Sequence, residues 1–257
     1  MVEGRGGKNM CTNRKKGQVT NHEIVKVFKT FTDNKEIVLK ENDYKLNLQS
    51  TNKKAYKVTY LMDRDLSAFS CQGNVKYAMF VYSDEQQKDE NLYIVIGQNP
   101  SHSFKSNIDR TNQNIFKAIL NSNISSSRYI LLNTFPIIDP DGASSPNELK
   151  LEDNIKVATT LIKKLCRLKC RMKIIYACGE SLPVYVSFIK KINKLITKYK
   201  IKTYAFENAG RIQAHMSMQA INNKGLNIDD FRLVECNIDI SNNQDFRKVK
   251  IIGQKEK

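Results

Sequence analysis

The chain has 257 residues, 40% of them hydrophobic, and a formal net charge of +16. That length suffices for one sizeable core, while no apolar run approaches the roughly 18 residues a bilayer span needs and the opening "MVEGRGGKNMCTNRKKG" lacks the apolar stretch of a secretory leader. The sequence therefore predicts a cytoplasmic protein with no membrane partner, whose six cysteines are free thiols rather than a disulfide framework.

A positive excess of this size attracts polyanions, nucleic acid first. Lys, Asn and Ile are all abundant, which an AT-biased coding sequence also produces, so a solvated lysine coat is the competing explanation. Residues 1–20 carry Gly, Lys, Arg and Asn without apolar periodicity and read as a flexible basic arm, with Arg14, Lys15 and Lys16 suited to nonspecific DNA contact. Residues 21–257 read as a single domain. In it "HEIVKVFKTF" has helical spacing, "KAYKVTYLM" and "VKYAMFVYS" read as strands, and "SDEQQKDEN" as a charged turn.

From Leu92 the pattern becomes regular. It predicts strand 92–96, helix 111–121, strand 129–133, helix 153–171, strand 173–177, helix 183–199 and strand 201–206. Strands alternating with helices imply right-handed crossovers and a parallel sheet covered on both faces. The fold class expected is α/β, with three α/β/α layers, a four-stranded parallel sheet and an N-terminal elaboration.

Ligands of open parallel sheets bind where the strands end. The four ends read Gly97-Gln98-Asn99-Pro100, Asn133-Thr134-Phe135-Pro136, Cys178-Gly179-Glu180, and Glu207-Asn208 followed by "GRIQAHMSMQ". This rim is rich in amides and glycines and lacks the GxxxxGK, GxGxxG and HxE with PCxxC signatures of nucleotide hydrolysis, dinucleotide chemistry and zinc-dependent deamination.

Three of these segments carry a resemblance. "GQNPSH" resembles the first motif of the uracil-DNA glycosylase superfamily, "ILLNTFP" resembles the strand whose terminal asparagine reads the base, and "AHMSMQ" resembles the late motif whose histidine faces the pyrimidine. Order and rough spacing agree over 92 to about 220, half of the chain. The first stretch is also similar to an uncharacterised bacterial domain family with an N-P-S-T loop followed by D-x-T, represented here by Asp109-Arg110-Thr111.

The resemblance implies a monofunctional DNA glycosylase needing neither metal nor cofactor, with DNA as partner and no obligatory protein partner. Such an enzyme everts a nucleotide, grips the edge of its base, stabilises the departing anion and positions a water. Asn133 would hold the pyrimidine edge; its amide matches uracil in one orientation and cytosine in the other. His215 would donate to the base O2, an interaction worth about 3–4 kcal/mol in comparable anion holes. Gln98 and Ser101 would shape the pocket, and Phe104 and Phe135 would stack on the base. Met216, Ser217, Met218 and Arg211 would contact DNA.

Two departures from the best-known motif stand out. The water-orienting aspartate is Asn99 here, which can hold a water but cannot take its proton, leaving that task to Asp109. The tyrosine that walls off C5 of the pyrimidine is Ser101, which opens the pocket to a 5-substituent. A modified pyrimidine such as glucosylated hydroxymethylcytosine of phage DNA, attacked in antiviral defence, is the sharper expectation. Repair of uracil or mismatches, a nucleic-acid binder without activity and a nucleoside hydrolase are the alternatives.

Each residue also has a plainer reading. Gly97 and Pro100 make a turn, Asn133 and Asp109 cap helices or turns, and His102 and His215 are ordinary surface or core histidines. Phe104, Phe135 and one of the methionines fit a core equally well. Cys166, Cys170 and Cys178 lack the CxxC spacing of an iron-sulfur site. Lysines 163, 164, 190, 191, 194, 198 and 200 read mostly as the solvated faces of two helices.

Overall fold

The computed structural model describes residues 19–33, 36–46, 54–63, 75–83, 91–98, 110–122, 128–137, 148–178, 186–208, 211–213, 221, 224–239 and 250–253. Helix α1 (Asn21–Lys29) starts at a capping box, in which Thr20 Oγ1 accepts from the Glu23 amide and the Glu23 carboxylate accepts from the Thr20 amide. Val19 and Thr20 thus belong to the fold rather than to the arm expected over 1–20. Buried Arg128 secures this start, donating to Val19 O (2.7 Å) and Asn21 Oδ1 (3.1 Å).

Strands β1 (Ile37–Leu46), β2 (Lys54–Asp63) and β3 (Lys76–Ser83) form an antiparallel meander. The alternating segment follows: β4 (Leu92–Gly97), α2 (Arg110–Asn121), β5 (Arg128–Asn133), α3 (Glu148–Arg167), β6 (Met172–Tyr176), α4 (Val186–Tyr199) and β7 (Lys202–Asn208). Strands β8 (Arg211–Gln213), β9 (Arg232–Asp239) and β10 (Lys250–Gly253) complete the described chain.

All ten strands share one mixed sheet, ordered β1-β2-β3-β5-β4-β6-β7-β9-β10 with β8 also on β7. This corrects the expected four-stranded parallel sheet. The parallel pairs are β5 with β4, β4 with β6 and β6 with β7, and every other pairing is antiparallel. The physical reason is edge protection. A parallel block leaves unpaired N–H and C=O rows along its two outer strands, and here β3 covers β5 while β8 and β9 pair with β7.

Helices cover both faces. Leu92, Ile94 and Ile96 of β4 belong to the cluster shared with α1, α3 and α4, whereas Tyr93 and Val95 belong to the cluster shared with α2 and Phe231. With both faces buried, β4 and β5 are unexposed along their whole length, which is why they read as continuous apolar runs rather than alternating ones.

Helix α3 begins and ends earlier than the predicted 153–171. Apolar spacing continues past Arg167 with no glycine to stop it, but the chain reverses through Lys169 in the left-handed region (φ 59°). The amides of Lys169 and Cys170 return to the carbonyls of Cys166 (2.9 Å) and Leu165 (3.2 Å). Helix α4 ends the same way at Lys200 (φ 52°), with Ile201 N bonded to Ile196 O (3.0 Å). Both are Schellman caps with lysine where glycine is usual.

Candidate active site

The C-terminal ends of β4 and β5 lie side by side, with Gly97 opposite Asn133 in register. The pairing continues beyond the strands. Thr134 N donates to Gly97 O (2.9 Å), Phe135 N to Gln98 O (2.9 Å), and Thr134 Oγ1 also to Gln98 O (3.2 Å). Ala177 N, at the end of β6, donates to Ile96 O (2.8 Å). Three strand ends are thereby fixed to one another before the chain turns away.

Asn133 sits on this rim with 2% exposure. Its backbone carbonyl accepts from Asn154 Nδ2 of α3 at 2.8 Å, and that same amide nitrogen reaches Thr134 O at 3.4 Å. Asn154 is itself 1% exposed, so the peptide carrying Asn133 is held from below by a rigid helix. The Asn133 side chain has no comparable restraint. Its Oδ1 is buried and has no hydrogen-bond partner among the described residues.

That oxygen lies against Gly97. A β-carbon built at Gly97 would stand 2.5 Å from Asn133 Oδ1 and 3.1 Å from Leu131 Cδ1. Glycine is needed here for space rather than for backbone freedom, because the carboxamide occupies the volume a side chain would fill. The first and second motifs thus meet through packing of glycine against amide as well as through their backbone hydrogen bonds.

Of the expected site residues, the structure brings Gln98 and Asn133 together on this rim. The Gln98 backbone carbonyl ties the two loops, and its side chain is half-exposed. Phe135 is 2% exposed and packs in the cluster beneath α1 and α3, so its ring serves the core. Arg211 opens β8 opposite Asn208; its side chain lies outside the description. Asn99, Ser101, Phe104, Asp109, His215, Met216, Ser217 and Met218 lie outside the described residues, as do His102, Pro100, Arg14, Lys15 and Lys16.

The remaining rim groups have structural tasks. Asn208, at the end of β7, donates to Asn227 O (3.0 Å). Tyr176, at the end of β6, donates its hydroxyl to Asn193 of α4, and burial holds its phenol well above the ordinary range. Cys178 is buried in the core cluster. Sequence reading overlooked Asn154, although a signal for it exists: an amide on the stripe of α3 formed by Leu151, Ala158 and Leu161. A polar residue on an otherwise buried stripe needs a buried partner.

An amide whose carbonyl is shut off from water and unpaired forgoes about 1–3 kcal/mol. In chemical terms it is an acceptor held ready for a donor, such as an imino or exocyclic amino group of a base. Comparison with models of known protein families, with curated proteins and with solved structures finds no match to this chain.

Proposed function

We propose that the protein is a monofunctional DNA glycosylase that excises a pyrimidine and leaves an abasic site. The observation that carries this reading is the buried carboxamide oxygen of Asn133, without a partner among the described residues and set against Gly97 at the junction of two strand ends. A base edge everted onto this rim would supply the missing donor, and the reading is supported by the Asn154 hydrogen bond that holds the backbone of Asn133 at this strand end.

In the proposed reaction a water, oriented by Asn99 and deprotonated by Asp109, forms the new bond to the sugar C1′. The bond from C1′ to the base nitrogen breaks, and its electron pair leaves with the base. His215 donates to O2 of the departing anion. Ser101 in place of the family's tyrosine leaves C5 unguarded, so the substrate we favour is a 5-substituted pyrimidine, glucosylated hydroxymethylcytosine in phage DNA among them. That substrate would make the enzyme an antiviral defence.

The test exposes purified protein to matched DNAs carrying uracil, thymine opposite guanine, or glucosylated hydroxymethylcytosine, followed by alkali. Scission at the glucosylated position, abolished by Asn133→Ala and by His215→Ala, is the expected result. Scission at uracil alone would replace the modified-base substrate with repair. No scission on any DNA would overturn the enzymatic reading.

A further inference from the structure

We propose a second nucleic-acid site, a basic groove at the opposite edge of the sheet that binds a single strand by its phosphates and stacks one base on Tyr199. It lies where β4, β6 and β7 begin and where α3 and α4 end, roughly 17 Å from the candidate active site along β4. It does not depend on the chemistry at the other rim.

The groove has a volume of about 600 Å³. Five of its eleven lining residues are Lys or Arg and none is Asp or Glu, so no carboxylate in the lining neutralises them. Lys202 is committed elsewhere, to Glu235 at 2.8 Å. Lys169, Arg171 and Lys200 are exposed and have no ion-pair partner among the described residues.

Lys173 is held at the floor, its ammonium 5.7 Å from the ring centre of Tyr93 and 5.2 Å from that of Tyr204. Burial, with Lys202 next to it, pushes its pKa below the ordinary lysine value, so an anion that arrives finds an underscreened cation. Tyr199 is the one large hydrophobic residue exposed among those described, at 37%. The Lys198 ammonium stands 5.6 Å from the centre of that ring, so one face already carries a cation and the other is the one a base would stack on. A basic channel beside a partly exposed aromatic ring suits an unpaired strand, because every base offers a π face while duplex bases are already stacked.

The two caps sharpen the point. Lys169 and Lys200 occupy left-handed positions that glycine fills more comfortably. Cations do offset the helix dipole, yet Lys164 and Arg167 already stand in the last turn of α3 and Lys198 in that of α4. What the strained lysines add is charge over the groove.

That strain supplies a variant that separates binding from folding. Lys169→Gly with Lys200→Gly relieves both backbones, so its melting temperature should equal or exceed that of the parent. Binding is read by fluorescence anisotropy on labelled oligo-dT, oligo-U and a matched duplex over a range of salt. Single strands should bind more tightly than duplex, with DNA and RNA arms showing which sugar is preferred. The double glycine variant should flatten the slope of log K against log salt by about 1.4, or 0.7 for each lost contact. Tyr199→Ala should weaken single-strand binding about tenfold. Single-strand affinity unchanged in both variants would overturn the site. Asn133→Ala should leave this binding unaltered while removing base excision, so either reading can fail without the other.

Discussion

Gly97→Ala tests the central contact of the candidate site. The new methyl would stand 2.5 Å from Asn133 Oδ1, closer than any real β-carbon sits, and the obstacle is the amide of a residue 2% exposed. Asn133 has little room to swing aside, because the residue is packed to 2% exposure and its backbone is held by Asn154 at 2.8 Å. Overpacking of this kind costs about 1–3 kcal/mol, offset by about 0.5–1 kcal/mol from replacing a glycine within a strand. The net loss is about 0–2.5 kcal/mol, centred near about 1 kcal/mol. At roughly 2–4 °C per kcal/mol for a chain this long, melting should fall by about 4 °C and by no more than about 10 °C.

A double-mutant cycle assigns that loss to its cause. In an Asn133→Ala background the oxygen is gone, and only Leu131 Cδ1 at 3.1 Å remains near the methyl, an end that can give by a few tenths of an ångström. The cost of Gly97→Ala should then vanish or turn into a small gain, a coupling of about 1–3 kcal/mol. Denaturant unfolding of the four proteins measures it. Equal cost in both backgrounds would refute the contact, and with it the claim that glycine is present to make room for the amide.

Further outcomes follow from neighbouring groups. Asn154→Leu leaves the Asn133 carbonyl without its buried donor and should cost about 1–3 kcal/mol in urea unfolding, together with base-excising activity if the clamp positions Asn133. Lys150 pairs with Asp63, and its pKa is raised above the ordinary 10.5 chiefly by that hydrogen bond, with burial opposing. The pair's contribution is therefore complete below about pH 10.5 and is lost as pH climbs through the raised folded value. Lys150→Met should be less stable by about 1–3 kcal/mol at pH 7, and the gap should close in alkali. The thiol of Cys236 is 1% exposed and burial pushes it up to about 12. Native protein at pH 8 should be alkylated there on the order of a thousandfold more slowly than unfolded chain by mass spectrometry, and comparable rates would contradict the burial.

The alternating centre of the fold was legible because its signals are local. Continuous apolar runs at β4 and β5 and helical spacing in α2, α3 and α4 each declare themselves within a dozen residues. The breadth of the sheet was not. Strand β1 reads "IVLKENDYKL", half of it charged or amide, and takes its conformation from pairing residue by residue with β2. Strands β9 and β10 likewise owe their place to β7 and to one another. Edge strands carry little internal signal, since polar side chains are what keep an edge from aggregating. The stop of α3 was misplaced for a related reason: lysine occupies the reversal where glycine would have announced it.

The amides of the site show where reading residue types runs out. Asn133, Asn154 and Asn208 are all nearly excluded from solvent, and apart from the apolar stripe of α3 on which Asn154 stands, nothing in the flanking sequence distinguishes them. Their tasks depend on partners 19 to 21 residues away: Asn208 donates to Asn227 O, and Asn154 donates to Asn133 O. Each of those two nitrogens is accounted for by holding a turn or a strand end. Asn133 Oδ1 and Asn154 Oδ1 are both buried without a partner among the described residues, and Asn133 Oδ1 is the one that fills the space a β-carbon at Gly97 would take, at the end of β4. A buried acceptor left open lowers stability, so a sequence shaped for stability alone would favour a residue that fills the space without it. Two strands, a space-making glycine and a clamp from α3 instead converge to keep that oxygen in place. The arrangement is intelligible as a site awaiting a donor from outside the chain, which is why the unpaired amide carries more weight for function than the rim's overall richness in asparagine.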